Sequence, residues 1–253
     1  MARATGRMAI GTLLLLLSVV AAKAAEIHVL APTTIRAVIN ALDPQFERAT
    51  GHKLIVEYDV APVVKRQIEE GKEFDLVIVT RPLMDDLVKQ GRVLAETRSD
   101  IGRAGAGVAV RAGAPRPDVG SADALRLALL NARSIAYAAE GTTGVYFLGL
   151  LDRLGISAET KPKLKPMKGG AVVAPVATGE AEIAIVTMPL ILEDHRVDLA
   201  GPIPSELQNY IVFTAGIGSV AKQADGARAF LALMTGPAAI PAIKANGFEP
   251  VSP

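Results

Sequence analysis

From Glu26 onward the chain alternates short runs rich in Val and Ile with amphipathic stretches, and this alternation limits the fold more than any other feature. The runs "IHVL", "KLIVEY", "FDLVIV", "GVAVRAG", "SIAYAA" and "EIAIVT" are mostly near-continuous apolar segments, the mark of strands covered on both faces. Between them, residues 34–42 place Ile35, Val38, Ile39 and Leu42 at helical spacing, and a second stretch restarts at Pro44 behind a cap-like Asp43. Residues 62–71 carry Val63, Val64 and Ile68 and stop at a glycine. Residues 82–91 carry Leu83, Met84, Leu87 and Val88 and do the same. Such β-α-β-α succession predicts an α/β fold, with a mainly parallel sheet and helices on both of its faces.

Two segments interrupt the rhythm. "AGVAVRAGAPRP" continues a glycine-rich entry at Gly102, Gly105 and Gly107, and "NYIVFTAGIG" comes late in the chain. Read as paired crossing strands, they divide the chain into two doubly wound lobes. Lobe 1 would hold residues 25–107 with 216–253 and lobe 2 residues 108–215, the tail returning to lobe 1 as helices. A single doubly wound domain is the alternative.

The first 24 residues stand apart. Arg3 and Arg7 precede an apolar run from about Met8 to Ala22, and Ala22-Lys23-Ala24 has the small-residue spacing of a cleavage site. This reads as a secretory signal peptide cleaved after Ala24. No later run has the length of a membrane span. Removing Arg3, Arg7 and Lys23 moves the formal charge from +1 to −2, so no basic excess points to nucleic acid. With no cysteine, the chain has neither disulfides nor a thiolate to serve as nucleophile or metal ligand.

In open α/β sheets ligands bind beyond the carboxyl ends of strands, where helix N-termini converge. The junctions to inspect are "APTTIR" with Thr33 and Thr34, "DVAP" with Val60 and Ala61, "VTRPLM" with Arg81, "EGTTGVYF" with Thr142, Thr143 and Gly144, "MKGGAV" with Gly169 and Gly170, and "IVTMPL". A threonine before a helix is more often a simple cap, and a glycine pair a simple turn. The recurrence of such junctions is what suggests an anion site, because free N–H groups and helix dipoles both favour negative charge. Arg81 follows a buried strand directly, which would start its guanidinium near a cleft and fit a carboxylate. Arg36 and Lys168 read as solvated charges.

The segments "LAPTTIRAVI", "LDPQFERATGHKLIVEY", "RQIEEGKEFDLVIVT", "GTTGVYFLGLLDRLG", "ATGEAEIAIVT" and "FLALMTGPAAIPAIKANGFEP" resemble the periplasmic molybdate-binding proteins and the wider type II solute-binding proteins of ABC transporters. The resemblance implies a two-lobed type II fold joined by two crossover strands. It also implies a periplasmic, monomeric receptor without cofactor, whose partners are a small anionic ligand and a membrane permease. Carried over by motif, the ligand would meet Thr33, Val60 and Ala61, then Thr142, Thr143 and Gly144, then Gly169 and Thr187. "DVAP" stands where the family has a serine-rich turn. With Arg81 close by, that departure favours an organic carboxylate over a molybdate-type oxyanion.

The sequence has no nucleophile elbow, metalloprotease helix, phosphate-binding loop or dinucleotide fingerprint. Proton transfer needs fewer groups, and Glu140, Tyr146 and Tyr58 could supply them. The scaffold also resembles that of periplasmic aconitate isomerase, so isomerisation of an organic acid is the enzymatic alternative.

Overall fold

The computed structural model describes residues 24–168 and 170–251, so the segment expected to be a signal peptide, apart from Ala24, and Gly169 lie outside the described residues. The strands are β1 (Glu26–Pro32), β2 (Lys53–Asp59), β3 (Leu76–Thr80), β4 (Ser99–Ala104), β5 (Ala106–Arg111), β6 (Ile135–Ala138), β7 (Leu164–Met167), β8 (Ile183–Thr187), β9 (Val197–Pro202) and β10 (Ile211–Ile217). The helices are α1 (Arg36–Thr50), α2 (Ala61–Glu69), α3 (Arg81–Lys89), α4 (Ala122–Asn131), α5 (Thr142–Arg153), α6 (Ser157–Thr160), α7 (Ala174–Thr178), α8 (Met188–Glu193), α9 (Ala224–Thr235) and α10 (Ile240–Ala245).

The strands form two five-stranded sheets, ordered β2-β1-β3-β10-β4 and β7-β6-β8-β5-β9. Each has three parallel strands at one side and a reversed strand in fourth place, β10 in one and β5 in the other. Burial on both faces follows from the period-2 geometry of a strand. Along β3, Leu76 and Ile78 pack into one apolar cluster while Val77 and Val79 pack into another on the opposite face. Along β8, Ile183 and Ile185 divide from Ala184 and Val186 in the same way.

The chain changes sheet between Ala104 and Ala106, and again between Pro202 and Ile211. That corrects the expected lobe limits. Residues 211–215, assigned above to the second lobe, pair with β3 and β4 in the first sheet, and residues 106–107 open β5 in the second. Gln208 ties the two crossings together: its amide donates to the Ala106 carbonyl at 2.9 Å and accepts from the Ala106 N–H at 2.8 Å.

A second correction concerns the first helix, which runs unbroken through Pro44. The missing N–H of Pro44 costs one helical bond. Continuous burial of Val38, Ile39, Leu42 and Phe46 on one face offsets that loss, and Phe46 meets Phe230 edge-on at 5.1 Å. Phe230 belongs to α9, so the tail packs into the core of the first sheet.

Candidate functional site

The carboxyl ends of β1, β3, β6 and β8 converge between the sheets on a cavity of about 50 Å3. Thr33, Thr34, Val60, Ala61 and Thr80 line it from the first sheet's side, and Thr142, Thr143, Gly170 and Thr187 from the second. Apolar side chains complete the wall, among them Val172, Leu190, Ile211 and Phe213. On this measure one water-sized sphere takes about 10–15 Å3, so the chamber holds a few atoms rather than a drug-sized molecule, whose sites run to about 300–1,000 Å3. Among the described residues, no charged side chain lines it.

Its polarity comes from hydroxyls and helix ends. The one-turn 3-10 segment Thr33–Ile35 leads into α1, Val60 precedes α2, Thr80 precedes α3, Gly141 precedes α5 and Thr187 precedes α8. None of these starts has a side-chain cap, and none has an acidic residue in its first turn. The first N–H groups of a helix lack intrahelical partners, and the positive end of its dipole lies there. Several such ends, uncompensated and facing one small space, can hold an anion without a counter-charge. Across the space, the hydroxyls of Thr34 and Thr187 approach to 3.4 Å.

Two glycines set this geometry. A Cβ at Gly144 would fall on the carbonyl oxygen of Ala138, so the start of α5 can lie against the end of β6 only without a side chain there. A Cβ at Gly170 would lie 2.7 Å from the Thr33 hydroxyl, so this turn is a close contact between the two lobes.

Of the residues singled out from sequence, Thr33, Thr34, Val60, Ala61, Thr142, Thr143, Gly170 and Thr187 line the chamber. Gly144 does not line it. Arg81 corrects the expectation. It is exposed, does not line the chamber, and pairs with Asp100 on β4. The proposed proton-transfer groups are also elsewhere. Glu140 is exposed and faces Arg66 at 3.3 Å. Tyr146 packs against the second lobe's core under the Arg153 guanidinium. Tyr58 lies outside the chamber, in an adjoining hollow, and burial pushes its phenol up to about 12. Neutral at ordinary pH, it is no base. The hydroxyls of both tyrosines are buried without a partner among the described residues.

Sequence reasoning missed the apolar half of the wall and one ion pair. Arg36, read above as a solvated charge, reaches across the lobes to Glu193, with Nε to Oε1 at 2.8 Å and Nη2 to Oε2 at 3.1 Å. The only local signal for Glu193 was its place at the end of the helix that follows "IAIVT".

Comparison with known proteins agrees with this architecture. The chain is 29% identical over 252 residues to aconitate isomerase of a Pseudomonas species, covering 96% of each chain. It is 27% identical over 238 residues to the molybdate-binding protein ModA of Azotobacter vinelandii, covering 90% of this chain and 91% of that one. Among solved structures, the periplasmic molybdate-binding protein of Azotobacter vinelandii superposes with a TM-score of 0.76 at 22% identity, covering 90% and 99% of the two chains. The sulfate-binding protein SubI of Mycobacterium tuberculosis gives 0.72 at 18%, covering 90% and 88%. Residues 27–249 match the bacterial extracellular solute-binding proteins, and the chain belongs to that family.

Proposed function

We propose that this protein is the periplasmic receptor of an ABC importer and that its ligand is a compact tetrahedral oxyanion of the molybdate, tungstate or sulfate class. The observation that carries this reading is the small chamber without a charged lining, ringed by hydroxyls and by acid-free helix starts from both lobes. The case for an organic carboxylate leaned on a guanidinium in the cleft, and Arg81 is not there. A tetrahedral anion offers acceptors in all directions, which suits donors arriving from both sides.

Binding and closure are one event in this mechanism. Ligand touching Thr33 and the start of α2 on one side, and Thr143 and the start of α5 on the other, stabilises the closed arrangement by contacts that an open one lacks. The permease then reads the closed shape. Calorimetric titration with molybdate, tungstate and sulfate tests the reading, and no heat from any of them overturns it. Thr143→Val should weaken the bound anion by about 1.5–3 kcal/mol, the range for a hydrogen bond to a charged group.

The 29% identity with aconitate isomerase supports a second reading, isomerisation of an organic acid by proton abstraction and return. Incubation with cis- and trans-aconitate in D2O, followed by NMR, separates the two. A receptor leaves both acids unexchanged, and an isomerase interconverts them.

A further inference from the structure

The inner chamber adjoins an outer hollow of about 700 Å3 and shares Thr33, Gly170 and Leu190 with it. Their chemistry differs sharply. The hollow carries Arg36, Glu193, Asp194, His195 and Arg196. Arg196 is held within its own turn by Asp194, with Nη2 to Oδ2 at 2.7 Å. Arg36 instead spans the lobes, forming a two-point fork with Glu193. Beside it, Tyr58 carries its buried hydroxyl, without a partner among the described residues.

The wall between the two spaces is thin. Gly170 lies against Thr33 as closely as backbone allows, and Thr33 begins the turn that delivers Arg36. An anion contained in the chamber leaves the Arg36–Glu193 pair intact. A longer polycarboxylate that passed this shared wall would meet Arg36, whose fork already holds a carboxylate.

We propose that the Arg36–Glu193 pair is a specificity gate, in which Glu193 occupies the guanidinium that a ligand carboxylate would otherwise take and so restricts the site to compact anions. This rests on the anion-receptor reading. It makes Arg36 and Glu193 determinants of ligand size and charge, although neither touches the chamber. The side chains are 41% and 23% exposed, and pairs of that kind add little to fold stability, so breaking this one leaves the lobes folded.

The test uses tricarballylate, a saturated tricarboxylate that cannot isomerise, with molybdate as the compact probe. Both are titrated calorimetrically into the mature protein, Glu193→Gln, Arg36→Gln and the double variant. Glu193→Gln frees the guanidinium and should bind tricarballylate at least tenfold more tightly than the wild type does. Arg36→Gln and the double variant should show no such gain, because the cation is gone. If Glu193→Gln gains nothing, or if Arg36→Gln gains as much, the gate is overturned. Failure of the wild type to bind molybdate, tungstate or sulfate would instead overturn the receptor reading, while the gate is still read from tricarballylate alone.

Discussion

The helix starts that face the chamber are uniformly free of acids and caps, whereas those elsewhere are mixed: α7 and α10 also lack both, but three others do not. The starts of α1, α2, α3, α5 and α8 carry no acid in the first turn and no side-chain cap. Helices α4, α6 and α9, none of which lines the chamber, carry Asp123, Glu159 and Asp225 in their first turns, and Ser121 caps α4 by accepting from the Ala124 N–H at 3.2 Å. An acid or cap at a helix start is ordinarily stabilising. Its omission around one small space therefore leaves local stability unclaimed in favour of a ligand's charge. Three variants test that contrast, in order of expected effect.

Gly144→Ala attacks the packing that brings the start of α5 to the chamber. Overpacking a core usually costs about 1–3 kcal/mol, and here the obstacle is the Ala138 carbonyl rather than a side chain that can turn aside, so a loss of about 3 kcal/mol or more is expected. Urea unfolding measures it. Ala61→Asp instead gives α2 the acid it lacks. Two like charges about 4 Å apart at an effective dielectric of about 20 repel by about 4 kcal/mol, so anion affinity should fall by at least about 100-fold. Because Ala61 is buried against Val64 and Ile68, the carboxylate also costs stability, which urea unfolding reads separately. Unchanged affinity for molybdate, measured at pH 8, would show that the chamber-facing starts do not hold the ligand. On the outward side, Ser121→Ala should cost about 1 kcal/mol of stability and leave binding unaltered.

Much of this architecture was legible because buried strands and helix starts are local in sequence. The strands that went unread, β4, β7 and β9, are all sheet edges. Their burial is patchy, as in "LKPM" of β7 with two exposed residues at its centre, and pairing with a neighbour rather than composition makes them strands. The threonine and glycine turns of the chamber were legible for the same local reason. Val172, Leu190, Ile211 and Phe213 were not, because their place in the wall depends on how two sheets face each other.

Arg36 and Arg81 show the same limit more sharply. Each is the first residue of an α-helix that follows a parallel strand. Sequence put Arg81 in the cleft and Arg36 in solvent; neither lines the chamber and the two are about equally exposed, but Arg36 sits at the boundary between the lobes. What separates them is the nearest acid: Asp100 on the same sheet draws Arg81 outward, while Glu193 on the other lobe draws Arg36 across.

Arg81→Ala therefore has the smallest expected effect. Anion affinity should not change, and the partly exposed pair should contribute at most about 1 kcal/mol. Even that contribution carries a recognisable pH signature. Burial pushes the Asp100 carboxyl up, but the Thr214 hydroxyl, at 2.6 Å, and the Arg81 guanidinium outweigh it and hold the carboxyl below its usual value. A depressed carboxylate stabilises the fold above its unfolded-state pKa, and that stability is lost as pH falls through the folded-state value. Removing Arg81 returns Asp100 toward the ordinary range, so wild type and variant should differ most near neutral pH and converge in acid. Urea unfolding of both between neutral pH and the acid range checks this. A gap that stays constant with pH would mean that Arg81 acts through packing of its stem rather than through Asp100.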